Sequence, residues 1–412
     1  MKYDEAKKIL EKYNQEHILK SYERLNEADK EKLLEQVLRI DFEQILNLYE
    51  KTKEKVEFKD SKIEPVPSVD SATLLEQERK KYTEVGEEII KSGKLAAVTM
   101  AGGQGTRLGH NGPKGTYDLG LPSHKSLFEI LCDGLKETWN KYGTVVPWYI
   151  MTSRENNDAT VKFFEDNNYF GYPKDAVTMF KQGELPMVDE DGKLIIDENG
   201  FIKEAADGHG GIFESLYRNG ALDDMKKRGI EWIFVGGVDN PLVRMTDVMF
   251  TGFAAANNYK AASKTIVKAY PEEKVGVFCK KDGKPYVIEY TEISEEMANE
   301  RNDKNELVYG DGHMLLNIFN IDILEQIASS KLPYHSAHKK SSFMNENGEI
   351  IKPESPNAYK FEAFLFDAFT LLPEVGLYRG KREEDFSPVK NAEGVDSPIT
   401  ARRDYMKYHN IK

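Results

Sequence analysis

The chain has 412 residues, 40% of them apolar and 31% charged, and its 57 Lys and Arg against 70 Asp and Glu leave a formal charge of −13. That length allows about two or three domains and a sizeable core, and the composition disfavours a disordered chain. The acidic balance argues against holding nucleic acid or anionic lipid through bulk charge, while leaving room for a local basic pocket. Cys132 and Cys279 could make at most one disulfide, which does not suit a secreted disulfide scaffold. The opening stretch MKYDEAKKILEKYNQEH interrupts every apolar step with charge and reads as no signal peptide. No run of about 18 uncharged apolar residues is long enough to span a bilayer. The expectation is a cytoplasmic protein with neither nucleic acid nor membrane as a partner.

In chain order, apolar residues from Ile9 and Leu10 to Leu46 and Leu48 recur at spacings of three and four, which predicts a helical N-terminal segment. Asn26 or Asp29 is placed to cap a helix within it. Pro65, Pro67 and Ser68 read as an extended linker, and a charged helix follows near 71–92. Leu95 to Met100 is a short apolar run that ends directly in glycines, the pattern of a buried strand entering a loop. Similar runs at 146–151 and 230–235 are separated by helix-compatible stretches at 159–167 and 213–228, an alternation that implies a mostly parallel sheet. Segments 275–279 and 286–290 flank Lys280-Lys281-Asp282-Gly283, a hairpin signal.

The loop Ala101-Gly102-Gly103-Gln104-Gly105-Thr106-Arg107-Leu108-Gly109 follows the first buried strand, and Pro113-Lys114 closes it. Glycines at the carboxyl end of a parallel strand let backbone N–H groups approach an anion. The Walker pattern is excluded because Lys114 is followed by Gly115, and the dinucleotide pattern because Leu108 stands where a third glycine is required. Arg107 and Lys114 add two cations, as a polyphosphate needs.

Together with Gly112-Pro113-Lys114-Gly115-Thr116-Tyr117-Asp118-Leu119-Gly120, this loop resembles the signature of the eukaryotic-type UDP-sugar pyrophosphorylases, the N-acetylglucosamine branch in particular. The likeness continues in family order through Trp148-Tyr149-Ile150-Met151-Thr152-Ser153, Lys181-Gln182-Gly183-Glu184-Leu185-Pro186, Asp207-Gly208-His209-Gly210-Gly211, Val238-Asp239-Asn240, Val275-Gly276-Val277, Ile288-Glu289-Tyr290 and Phe386-Ser387-Pro388-Val389-Lys390-Asn391. It implies an α/β fold of the Rossmann-like, GT-A-like nucleotidyltransferase kind: a mixed, mostly parallel sheet with helices on both faces. Residues 1–92 would form the helical N-terminal segment, 93–330 the catalytic nucleotide-sugar-binding domain, and 331–412 a C-terminal part that completes the sugar-phosphate site.

The resemblance also implies transfer of uridylyl from UTP to N-acetylglucosamine 1-phosphate, giving UDP-N-acetylglucosamine and pyrophosphate with Mg²⁺, or Mn²⁺ in its place. Such a reaction needs alignment and charge neutralisation rather than a covalent nucleophile on the protein. By likeness, Gly102 and Gly103 would meet the uracil through the backbone and Gln182 would read its edge. Gly208 and His209 would lie near the nucleotide. Arg107 and Lys114 would hold the UTP phosphates, Lys390 the sugar phosphate, and Asp239 the metal. On the sugar side stand Gly276, whose missing side chain leaves room for an acyl group, and Glu289, His313, Phe364 and Phe366.

His209 and His313 depart from the N-acetylglucosamine pattern, which carries a carboxamide at both places. Imidazole offers its donor and acceptor differently, so a UDP-glucose or broad-range UDP-sugar pyrophosphorylase is the alternative. A non-catalytic nucleotide-sugar sensor is a further alternative, although it would not need the full set of Arg107, Lys114, Asp239 and Lys390. The chain ends at Lys412, short of its eukaryotic relatives, and a monomer is expected.

Overall fold

The computed structural model describes residues 2–53 and 61–412. Met1 and residues 54–60 of the expected N-terminal segment lie outside the described residues. Two compact units are present, each built from three stretches of chain: Met1–Asp60, Gly183–Gly211 and Leu332–Phe364 in the first, and Ser61–Gln182, Ile212–Lys331 and Leu365–Lys412 in the second.

The first unit opens with four helices, α1 (Lys2–Lys12), α2 (His17–Arg24), α3 (Glu27–Arg39) and α4 (Phe42–Lys51). Their apolar stripes converge: Leu10, Ile18, Leu33, Val37 and Ile45 pack with Val188, Leu194, Ile196 and Phe361 from the later stretches. Of the two expected caps it is Asn26 that acts, its side chain accepting from the Asp29 N–H at 3.0 Å. Asp41 caps α4 in the same way, through the Gln44 N–H at 2.9 Å. An antiparallel sheet of segments 334–339, 358–363 and 188–189 completes the unit.

The second unit is organised by one mixed sheet. Its strands are β1 (Val69–Asp70), β2 (Leu95–Met100), β3 (Trp148–Thr152), β4 (Val177–Lys181), β5 (Trp232–Gly237), β6 (Ala261–Val267), β7 (Val277–Lys281), β8 (Lys284–Ile288), β9 (Asp311–Asn320) and β10 (Gly376–Arg379), together with the two-residue segment Ile63–Glu64, which pairs antiparallel with β7. The order is β1-β10-β6-β9-β5-β2-β3-β4, with the β7–β8 hairpin joined to β9. All pairs along this order are parallel except those of β9, which runs antiparallel to both β5 and β6. This is the mostly parallel α/β nucleotidyltransferase arrangement expected from the sequence. Every residue of β2, β3 and β5 is buried, as continuous apolar runs require. The β7–β8 turn places Asp282 and Gly283 at φ +52° and +81°, the double left-handed conformation of a tight hairpin. The expected 213–228 helix is two helices, Ile212–Arg218 and Ala221–Lys227, broken where Gly220 takes φ +72°.

The helix Glu76–Lys91 crosses the helix Val248–Ala256 at two glycines. A Cβ on Gly86 would strike the Val248 carbonyl, and one on Gly252 the Tyr82 carbonyl. Gly252→Ala sets a helix-propensity gain of about 1 kcal/mol against overpacking of backbone on backbone, typically about 1–3 kcal/mol. Because neither carbonyl can rotate away, we expect the clash to win and denaturant unfolding to show a net loss of stability. A variant as stable as the parent would show that the helices can part without cost.

Candidate active site

The carboxyl ends of β2, β3, β4 and β5 lie side by side, and β2, β4 and β5 lead into the candidates Gly102, Gln182 and Asp239. Met100 is in register with Met151 on one side and Gly237 on the other, and Thr152 with Lys181. Ala101, Ser153, Gln182 and Asp239 therefore follow from one edge of the sheet, where ligands bind in open α/β folds.

The glycine loop doubles back on itself. Gly105 N–H donates to Gly112 O at 2.9 Å, and Lys114 N–H to Gly103 O at 3.0 Å, so the loop's end returns over its start. A side chain at Gly102 would collide with the Gln182 carboxamide, so the absence of Cβ there is what lets Gln182 lie against the loop backbone. Lys114 Nζ comes within 3.4 Å of Asp239 Oδ2, both side chains being largely buried. Val238 N–H donates to Met100 O, and Val389 N–H to Asp239 O at 2.7 Å, which brings the segment preceding Lys390 to the same strand end. The Lys390 ammonium is 3.9 Å from the carboxylate of Asp396, and burial pushes that carboxyl up from its ordinary range. Arg107 is exposed on the short turn Thr106–Leu108.

A second group gathers where β7, β8 and β9 meet. His313 N–H donates to Gly276 O at 2.8 Å. A Cβ on Gly276 would stand 3.1 Å from Glu289 Oε1 and 2.8 Å from Val287 Cγ1. The His313 ring meets Phe366 and Phe278 edge to face, with centroids 5.5 and 5.4 Å apart, and its Nε2 is 3.2 Å from Asn317 Oδ1. Four of the five sugar-side candidates are thus neighbours.

Phe364, the fifth, belongs to the first unit with Gly208 and His209. There the His209 ring stacks on Phe364 at 5.4 Å, and Phe364 on His335 at 4.4 Å. Gly208 takes φ +87°, and a side chain on it would strike the Ala363 carbonyl. Ala363 N–H donates to Asp207 O at 2.7 Å, holding the glycine run against the 358–363 strand.

Two side chains escaped the sequence reading. His335 completes the ring stack, and its sequence surroundings carry no signal. Asn156 is fully buried: its Nδ2 donates to Ala101 O at 2.9 Å and Gly103 O at 3.3 Å, while its Oδ1 accepts from Ser153 N–H at 2.9 Å. Asn156 thus clasps the start of the glycine loop to the end of β3. The Ser-x-x-Asn spacing just after a buried strand was the available signal, since these residue types bond locally to backbone.

A glycine loop that doubles back on itself, a lysine–carboxylate pair and placement at the carboxyl ends of parallel strands are the features of an active site in an α/β enzyme. Residues 40–397 match the family described as UTP-glucose-1-phosphate uridylyltransferase. The chain is 37% identical to the UDP-N-acetylhexosamine pyrophosphorylase-like protein 1 of Xenopus tropicalis, covering 97% of this chain and 82% of that protein. It is 34% identical to the UDP-N-acetylglucosamine pyrophosphorylase of Saccharomyces cerevisiae, covering 98% and 89%. The crystal structure of the uridine diphosphate N-acetylglucosamine pyrophosphorylase from Trypanosoma brucei superposes with a TM-score of 0.84 at 30% identity, covering 99% of this chain and 85% of that one. The chain belongs to the UTP-glucose-1-phosphate uridylyltransferase family, that of the UDP-sugar pyrophosphorylases.

Asn156→Ala would leave two loop carbonyls and the Ser153 N–H without their buried partner, at about 1–3 kcal/mol. The expected result is faster amide exchange at Gly105 and Lys114, whose hydrogen bonds report the closed loop. Unchanged exchange at both would mean that the loop holds its shape without the clasp.

Proposed function

We propose that this chain is a uridylyltransferase that forms UDP-N-acetylglucosamine and pyrophosphate from UTP and N-acetylglucosamine 1-phosphate. The observation that carries the reaction is Lys114 beside Asp239 at the mouth of the glycine loop, an arrangement suited to a polyphosphate with its counterion. The names of the relatives support the nucleotide and the sugar. The reading extends to a monomer working in the cytosol; among the described residues no helix is long and apolar enough to cross a membrane.

A phosphate oxygen of the sugar substrate attacks the α-phosphorus of UTP. A new P–O bond forms as the bond to the bridging oxygen breaks, and that oxygen's electron pair leaves with pyrophosphate. The attacking oxygen is already anionic, so no side chain need become covalently linked. In this reading Gly102 and Gly103 present backbone to the uracil and Gln182 reads its edge, while Arg107 and Lys114 offset the charge that builds on the leaving pyrophosphate. Lys390 orients the sugar phosphate in line.

Among the described residues no three His, Cys, Asp or Glu are grouped to hold a metal by themselves. Mg²⁺ in phosphate sites is commonly held by one or two carboxylates with the substrate's own phosphates and water, and Asp239 fits a metal that arrives with the nucleotide. When bound, the ion supplies positive charge to phosphate oxygens.

The names of the relatives favour an N-acetylated sugar; the room for an acyl group expected at Gly276 is not there, since even a Cβ would stand 2.8 Å from Val287 Cγ1 and 3.1 Å from Glu289 Oε1. His313 favours the second reading, UDP-glucose, because imidazole replaces the expected carboxamide. Steady-state assays over a panel of sugar 1-phosphates separate the two, and we expect N-acetylglucosamine 1-phosphate to lead in kcat/KM. A lead of roughly tenfold or more for glucose 1-phosphate, about 1.4 kcal/mol, would overturn N-acetylglucosamine as the preferred sugar. Binding of UDP-sugar without any pyrophosphate release would point instead to a sensor.

Lys114→Ala is expected to lower kcat by on the order of a hundredfold or more, since removing one preorganised charge-stabilising donor commonly costs about 3 kcal/mol. Near-normal turnover in this variant would remove Lys114 from the mechanism.

A further inference from the structure

Beneath the site lies a cluster of four charges that the proposed reaction does not use. Lys264, in the middle of β6 and only 2% exposed, places Nζ 2.6 Å from Asp247 Oδ2 and 2.6 Å from Asp385 Oδ1. Arg244 reaches Asp385 at 2.7 Å and Asp247 at 3.4 Å. Burial alone would raise the Asp247 carboxyl, but Lys264 and Arg244 outweigh it and hold that group well below the carboxylate range. Two cations and two carboxylates cancel, so the cluster adds no field of its own to the site. Nor is it an efficient stabiliser, because desolvation of buried ions offsets most of their attraction.

What the cluster does fix is geometry. Asp385 ends the short helix Arg382–Asp385, directly before the segment that leads to Lys390. The same segment is tied to the end of β5 at three further points. Asn240 Nδ2 donates to Asp385 O at 2.7 Å, Asn240 Oδ1 accepts from Ser387 N–H at 3.1 Å, and Asp239 O accepts from Val389 N–H at 2.7 Å. Lys390 is the next residue. Its side chain is 40% exposed, and the ion pair it makes, with Asp396, is long at 3.9 Å. Placement of Lys390 therefore rests on its backbone, which Asp385 and Asn240 hold on the preceding side while its own N–H donates to Asp396 O at 2.6 Å.

Resting on the role proposed for Lys390, we infer that Asp385, held by Lys264 and Arg244, is a positioning residue that sets Lys390 relative to Asp239 and so governs how the sugar phosphate is aligned. The buried ions serve register. A neutral substitute of the same volume would fill the space without specifying where the 385–389 segment lies.

The test is a double-mutant cycle on the full chain, with Lys390→Ala as the common background. Asp385→Asn should lower kcat/KM for the sugar 1-phosphate by about tenfold to a hundredfold, the scale on which small misalignments act, with little change in KM for UTP. Arg244→Gln should do the same more mildly. Its side chain is 37% exposed, so it carries the test should Asp385→Asn fail to fold, and Arg244→Lys should recover part of the loss. In the Lys390→Ala background both effects should shrink to about twofold or less, because the residue they act through is gone. Losses that multiply with that of Lys390→Ala, or a rise in KM for UTP as large as that for the sugar phosphate, would overturn the inference alone. Full activity of Lys390→Ala by itself would overturn both the inference and the role of Lys390 on which it rests.

Discussion

Parallel register between β2 and β5 is the constraint on which the site depends. Met100 pairs with Gly237, so two chain segments far apart in sequence end at the same height, one turning into glycines and the other into Val238-Asp239-Asn240. Given that register, Lys114 needs only a loop that returns on itself to reach Asp239. The hydrogen bonds from Gly105 to Gly112 and from Lys114 to Gly103 supply that return. Slipping either strand by one residue would reverse which side chains face the core, and full burial of both strands makes such a slip costly. A polar site is thus located by apolar packing.

Charge follows a local logic that the total conceals. The net charge of −13 is largely screened beyond the roughly 8–10 Å Debye length of physiological salt. Inside that distance the local charges are Arg107, Lys114 and Lys390, with the Asp239 carboxylate close to Lys114 and that of Asp396 close to Lys390. The buried Lys264, Asp247 and Asp385, with the half-buried Arg244, lie apart from this balance because their charges close on one another. Two kinds of ion group therefore coexist in the second unit. One is partly open and available to a ligand; the other is satisfied internally and shapes backbone.

Much of this was legible in the sequence because it is local. Continuous apolar runs ending in glycine marked β2 and β5, spacings of three and four marked the four N-terminal helices, and Lys-Asp-Gly marked the β7–β8 turn. Arg107 and Lys114 stood out against the phosphate-loop patterns they break. What stayed hidden depends on neighbours distant in sequence. Asn156 gains meaning only when Ala101 and Gly103 are beside it, and Lys264 reads as an ordinary strand residue until Asp247 and Asp385 surround it. Gly220 splits a helix that composition alone made continuous. Residues Asn168 to Phe170 all take positive φ, a run that neither propensity nor pattern foretells; Phe163 and Phe164 packed against the ring of Phe170 help to hold it. Nor does order along the chain reveal that three separate stretches build each unit.

The irregularity in β9 joins these threads. Ser263 pairs with Asn317 but Thr265 with His313, so residues 314–316 stand opposite Lys264 alone. Leu315 takes φ +58° there, a conformation that costs a bulky residue on the order of 1–3 kcal/mol and persists only because its surroundings impose it. One reason for tolerating that strain lies on each side of the bulge. Towards the strand's start it aims His313 at Gly276 and Phe366. At the bulge itself Leu315 Cδ2 is brought to 3.6 Å from where a Gly237 side chain would begin, beside Asp239. Opposite, it leaves Lys264 facing a widened stretch of strand while its ammonium reaches Asp247 and Asp385. A regular strand would keep Leu315 out of that space and put His313 on a different rung of the ladder. The strain is therefore localised on β9, between β5, which leads to Asp239, and β6, which carries Lys264, with His313 on β9 itself.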